Sequence, residues 1–149
     1  MLYITQQDLA NALGGEKKLV ELTTESRNET EVNQAVVARA ISYACSLIDS
    51  YARARYTIPL PVTEMVKAMA VDLAIYKLYR SRVTSDDGVY KPKRDAYEDA
   101  IKLLKSINKG EAALDVPTAE ETATNPGSPD RVLKGSSKPV FTDENLGGY

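Results

Sequence analysis

Apolar and small residues recur at spacings of three and four through most of the first 110 positions, the period of helices buried on one face. Leu9 and Leu13 form an i, i+4 pair behind Thr5-Gln6-Gln7-Asp8, a capping-box-like start with an acidic residue three places after the hydroxyl. Gly14-Gly15 stops that short helix, and Ile4 is placed to staple onto its first turn. Leu19, Val20 and Leu22 then read as a partly buried connector. The longest stripe runs from about 30 to 56, through Val32, Val36, Val37, Ala40, Ile41, Ala44, Leu47, Ile48, Tyr51 and Ala52. Ile58-Pro59-Leu60-Pro61 breaks it, since neither proline donates a hydrogen bond and each restricts its predecessor. A third helix over about 62–83 carries Met65, Val66, Met69, Ala70, Leu73 and Tyr76, and Ser85-Asp86-Asp87-Gly88 turns the chain. A fourth, over about 90–109, presents Tyr97, Ala100, Ile101, Leu104 and Ile107 on one face. Its end gathers Lys102, Lys105 and Lys109, where cations suit the helix dipole, and Gly110 is placed as its C-cap. No segment alternates with period two for long enough to predict a strand. The expectation is an all-α, four-helix domain over residues 1–110.

After Gly110 the pattern is lost. Residues 111–149 hold Pro117, Pro126, Pro129 and Pro139 with runs such as Thr122-Ala123-Thr124-Asn125 and Gly135-Ser136-Ser137. Such a stretch buries too little apolar area to offset an ordering entropy of ~1–2 kcal/mol per residue, so its composition predicts disorder in isolation. Spaced apolar residues nevertheless punctuate it: Val132-Leu133, Val140-Phe141, Leu146 and Tyr149. We therefore expect residues 111–149 to be an extended docking tail ordered by partner chains, with Val140, Phe141, Leu146 and Tyr149 as its contact residues.

Charge changes that picture little for the whole chain and more for its parts. The 149 residues carry 19 basic and 21 acidic side chains, a balance that argues for neither a nucleic-acid nor a membrane partner. The first 110 residues hold 16 basic and 14 acidic groups and the remainder 3 and 7, so the tail is acidic and the body nearly neutral. No apolar run approaches the ~18 residues of a membrane span, and the start lacks a signal-peptide signature. A soluble protein that stays where it is made is expected.

The chemistry available is narrow. The chain has no His, the commonest general base and metal ligand, and its single Cys45 excludes an internal disulfide and a cysteine-based zinc site. Cys45 falls between Ala44 and Ser46 on the long stripe, the place of a small buried thiol. Asp49 and Asp72 lie near the apolar faces of the second and third predicted helices. As a carboxylate pair they invite comparison with acid–base sites. The structural reading is that they pair with arginines, Arg53 and Arg55 foremost, because buried carboxylates need partners. With no nucleophile, phosphate loop or metal cluster beside them, no catalytic, cofactor-binding or metal residue is assigned and the protein is expected not to be an enzyme. Tyrosines are numerous, nine against one Phe and no Trp, and suit both the rim of a core and an interface. From Arg53 to Arg94 there are nine basic and four acidic residues, as a solvated helical face or a DNA-facing patch would have.

The order of these features resembles the Mu-like phage head–tail connector family, related in fold to the small helical adaptors of long-tailed phages. The matching positions begin with Tyr3-Ile4-Thr5 and Asp8-Leu9. They continue through Ala40-Ile41, Ala44, Ile48-Asp49-Ser50-Tyr51 and Arg55-Tyr56-Thr57-Ile58-Pro59-Leu60, the most specific stretch. Asp72-Leu73-Ala74 with Tyr76, Leu78 and Arg80, then Tyr97, Ala100, Leu104 and Gly110, match the later helices, and Phe141-Thr142 with Leu146 to Tyr149 is similar to the family's aromatic-ended tail. Residues 111–130 depart from the pattern in being longer and richer in Pro and Thr.

The resemblance implies a virion protein of the neck, assembled in the host cytoplasm as a ring of twelve copies beneath the portal. Such a ring extends the DNA channel, lets packaged DNA pass without sequence-specific binding, and offers a platform to a tail terminator, stopper or other neck protein. The alternative is a small helical DNA-binding or regulatory protein, although a helix-turn-helix needs a tighter turn than Ile58-Pro59-Leu60-Pro61.

Overall fold

A computed structural model describes residues 1–25, 28–82 and 88–119. They form five helices, α1 (Gln6–Leu13), α2 (Glu16–Thr23), α3 (Gln34–Ala52), α4 (Glu64–Arg80) and α5 (Tyr90–Lys109), and no strand occurs among the described residues. The all-α expectation holds, with one helix more than the pattern announced. That helix is α2, which fills the stretch read as a connector.

α1 begins as its sequence dictates. The Thr5 hydroxyl accepts from the Asp8 amide at 3.3 Å while the Asp8 carboxylate accepts from the Thr5 amide at 2.7 Å, a complete capping box. The Thr5 hydroxyl, which also donates to the Asp8 carboxylate at 2.7 Å, and then the Thr5 amide hold that carboxyl below its usual range. Gly14 and Gly15 both take positive φ, 87° and 140°, which lets α2 start at Glu16 with only these two residues between it and α1. α2 has no side-chain N-cap, and most of its stability comes from tertiary contact: Leu19 and Leu22 are buried. Its C-terminal end is held by Arg82, whose guanidinium donates to the carbonyls of Leu22 and Thr24. A cation at the negative end of the helix dipole favours that contact further.

α3 starts later than the apolar stripe suggests, because the Asn33 side chain accepts from the Val36 amide and fixes the cap there. It buries Val37, Ala40, Ile41, Ala44, Cys45, Ile48 and Ala52. The free thiol therefore sits in the core, as its neighbours predict. α4 opens on Thr63, whose hydroxyl accepts from the Val66 amide at 3.3 Å, and runs with Val66, Met69, Ala70, Leu73, Ala74 and Leu78 inward. α3 and α4 form the central pair. α5 lies across both through Ala100, Leu104 and Ile107, while α1 and α2 close the other side of α4.

The chain does not leave the body at Gly110. Leu114 is buried and Ala112 and Val116 pack against the core, so residues 111–119, assigned by composition to the tail, lie on the helical body.

Candidate functional site

Two surfaces stand out, one at the C-terminal end of α3 and one on the α3–α4–α5 face. The first is a junction where three distant segments meet. Tyr3 is buried, and its hydroxyl donates to the Asp49 carboxylate on α3 and accepts from the Leu60 amide at 3.0 Å. The Tyr3 amide in turn donates to the Cys45 sulfur at 3.4 Å. Burial, then the bond to Asp49, pushes the phenol up to about 12. The N-terminal segment is thereby latched to both the end of α3 and the proline-rich connector.

Residues 51–56 grip the end of α5 and the chain that follows it. Asn108 donates from its side-chain amide to the Tyr51 carbonyl at 2.9 Å, and the Leu114 amide donates to the Tyr56 hydroxyl at 2.8 Å. The Ala119 amide donates to the Arg55 carbonyl at 3.0 Å. Gly110 has φ 83°, the left-handed region that favours glycine, and a Cβ built there would meet only the guanidinium end of the exposed Arg55 side chain, which can move aside. Ala119 is thereby fixed beside Arg55.

The second surface is aromatic. The Tyr76 ring stacks on Tyr97 with centroids 4.0 Å apart and on Tyr90 at 5.9 Å. The Tyr97 hydroxyl lies 3.5 Å from that of Tyr43, and the Lys77 ammonium sits 4.8 Å above the Tyr43 ring. The contact with Tyr43, then burial, pushes the Tyr97 phenol up to about 12. These four tyrosines are half-buried, each with one part in the packed body and one at its rim.

The residues singled out from sequence divide accordingly. Val140, Phe141, Leu146 and Tyr149 lie outside the described residues. Asp49, Arg55 and the Tyr51–Tyr56 turn are brought together at the α3 junction. Asp72 lies apart, facing a hollow of about 400 Å³ between α1 and α4 that Asp8, Glu64 and Lys67 also line. Burial raises its carboxyl above the ordinary value, with Lys93 partly offsetting this.

The ion pairs expected for Asp49, Arg53, Arg55 and Asp72 are not among those the described residues form. Those join Lys18 to Glu21, Lys67 to Glu64, Arg94 to Glu98 and Lys102 to Asp99, all one turn apart on a helix. The reason is directional. Position 49 faces the N-terminal segment, so a phenol takes the place assigned to an arginine, and Arg55 turns towards Gly110. Tyr3 stood in the sequence only as a position matching the family resemblance, and its pairing with Asp49 was not read, because nothing local links an aromatic ahead of a helix cap to a carboxylate 46 positions on.

The described helices include none long and apolar enough to cross a membrane. The described residues also contain no group of three or more His, Cys, Asp or Glu side chains placed to hold a metal ion.

The model of the family described as Bacteriophage Mu, Gp36 matches residues 3–132. The chain is similar to gene product J of Escherichia phage Mu, 28% identical over 148 residues and covering 99% of both chains. It is also similar to the Mu-like prophage FluMu protein gp36 of Haemophilus influenzae, 30% identical over 92 residues and 61% of each chain.

Proposed function

We propose, from the premise that this chain belongs to the Bacteriophage Mu, Gp36 family, that it is a non-catalytic virion subunit of the head–tail connector. In this reading a ring of copies, twelve by the family resemblance, docks beneath the portal, extends the DNA channel and carries a tail terminator or stopper. The observation that carries the reading is the junction at the end of α3. The helical body there holds the chain as far as Ala119, and the sequence that follows is acidic and carries spaced apolar residues. That is the layout a wedge with a docking arm requires. Wedges pack side by side through a heterologous interface that closes into a ring. The arms contribute main-chain and apolar contacts to neighbours, and many weak contacts sum through multivalency.

The folded body extends past Gly110, so the informative truncation removes residues 120–149 rather than everything after 110. The truncated protein is expected to keep its helical circular dichroism and to lose co-sedimentation with portal-bearing heads. Negative-stain electron microscopy of the full chain with portal should show added density below the portal ring. Full assembly by the truncated chain would refute the docking arm. Absence of the protein from the necks of assembled particles would refute the connector role itself.

A further inference from the structure

The outer face of α3 differs in charge from the rest of the body. α2, α4 and α5 all present carboxylates to solvent, at Glu16, Glu21, Glu64, Asp95, Glu98 and Asp99. α3 presents none, because its single acid, Asp49, is half-buried and accepts from the Tyr3 phenol. Along one line it presents Arg39, Ser42, Ser46, Ser50 and, at its C-cap, Arg53, all exposed. Their spacing of three and four residues sets them in a row, with ~21 Å between the two arginines at the helical rise. Lys77 of α4 joins the row beside Arg39, with which it lines one groove, and is held 4.8 Å from the centre of the Tyr43 ring.

Arg39, Arg53 and Lys77 belong to no ion pair among the described residues, whereas Lys18, Lys67, Arg94 and Lys102 each meet a carboxylate one turn away. Cations that no ion pair compensates, with hydroxyl donors between them and no exposed carboxylate in line, suit a polyanion. Glu25 and Glu29 line the hollow on the other side of Arg39, which bounds the row towards α2. The occupant is further limited by the tyrosines. Tyr76 and Tyr97 stack on each other and the Tyr43 ring lies under Lys77, all half-buried, which favours contact with a backbone over stacking on unpaired bases. A straight, rigid row of charge then fits duplex DNA, which carries one negative charge per ~1.7 Å of its axis.

We infer that the outer face of α3, with Lys77 beside it, is a sequence-independent contact for the phosphate backbone of duplex DNA. Arg39, Arg53 and Lys77 supply the charge, and Ser42, Ser46 and Ser50 supply short donors between them. The inference rests on the connector reading for its setting, in which this face lines the channel, and on the charge of α3 for its chemistry. Three phosphate contacts predict a fall in affinity of about 40-fold between ~50 and ~200 mM salt, and loss of one contact reduces that to about 12-fold.

The test titrates the full-length, isotope-labelled chain with a short DNA duplex and follows amide chemical shifts. The shifts should concentrate at Arg39, Ser42, Ser46 and Arg53 and be alike for a second, unrelated sequence. Lys77→Gln, Arg39→Gln and Arg53→Gln, all at exposed positions and each checked for unchanged circular dichroism, should each weaken the salt dependence to the 12-fold value. Lys17→Gln, on α2, should leave it at 40-fold. Shifts centred on Lys102, Lys105 and Lys109 of α5 would overturn the assignment, as would a salt dependence that the three α3–α4 variants leave unchanged. Tighter binding to single-stranded DNA, or to polyglutamate at equal charge, would overturn it in favour of a different partner, and no shift at ~50 mM salt would overturn it outright. A protein found in the necks of particles whose α3 stays silent to duplex removes this inference alone. Duplex contact through α3 by a protein absent from necks removes the connector reading and leaves the contact standing.

Discussion

Tyr3→Phe removes one oxygen atom from the junction at the end of α3 and leaves the buried ring in place, so no cavity opens. Two interactions go with that oxygen. The bond to the half-buried Asp49 carboxylate is of a kind that contributes ~1.5–3 kcal/mol, and the Leu60 amide, on a buried residue, is left without its acceptor at a cost of ~1–3 kcal/mol. Water reaches Asp49 in part, which places that contribution at the low end of its range. The expected loss is ~3 kcal/mol, a large share of the ~5–15 kcal/mol that holds a domain folded. In melting temperature this is roughly 10 °C for a body of this size.

Urea unfolding followed by circular dichroism should show a lower midpoint at unchanged slope. The pH dependence adds a sharper criterion. The folded phenol is pushed up to about 12 from its ordinary value of about 10, so from 10 upward the unfolded chain releases a proton that the native state keeps. Stability from this group is complete below 10 and declines as pH rises towards 12, by at most ~2–3 kcal/mol. The gap between the native protein and Tyr3→Phe should therefore narrow across that window, while the similarly raised Tyr97 contributes equally to both and cancels. A neutral-pH difference under ~1 kcal/mol, below what one such bond contributes, would refute the latch. So would two stability curves that stay parallel from 10 to 12.

Three further outcomes follow from other contacts. Gly110→Ala should cost ~1–2 kcal/mol from the left-handed backbone, with little added by Arg55, whose exposed guanidinium can swing away; amide exchange at Glu111, Ala112 and Leu114 should accelerate before the rest of the body responds. Arg82→Ala should cost ~2 kcal/mol and open α2 locally in hydrogen exchange, and Arg82→Lys should not rescue it because one ammonium cannot reproduce the guanidinium fork on two carbonyls. For Asp72→Asn the sign is opposite: burial raises the native carboxyl above 3.8, so the charged form opposes folding at neutral pH, and the variant should be more stable there by urea titration, with the gain vanishing on acidification below that value.

The extent of the fold that could be read from sequence depended on how local each determinant was. The α1 capping box and the bounds of α5, with Gly110 as its cap, follow from residues within a turn of one another, and both were legible. α3 and α4 were legible as stripes, but their starts were not. Side-chain caps at Asn33 and Thr63 overrule apolar neighbours that continue the pattern upstream. α2 escaped because eight residues with two buried leucines make a weak periodic signal, and its end is fixed by Arg82 from nearly 60 positions away. The α3 junction was half legible. Asp49, Arg55 and the Tyr51–Tyr56 stretch were marked as special, yet their partners, Tyr3, Gly110 and Leu114, lie 46 to 58 positions distant and no spacing rule links them. Charge complementarity suggested ion pairs, whereas the geometry used a phenol, a glycine and backbone amides.

The grip of residues 51–56 on the chain after α5 also sets the path of mechanical load. A pull applied to the end of the chain does not first peel α5 from the surface. It meets the Ala119–Arg55 and Leu114–Tyr56 bonds and is handed to the end of α3, the helix at the centre of the body. Tyr3 ties the opposite terminus to that same end. Tension between the two ends of the body therefore converges on the end of α3.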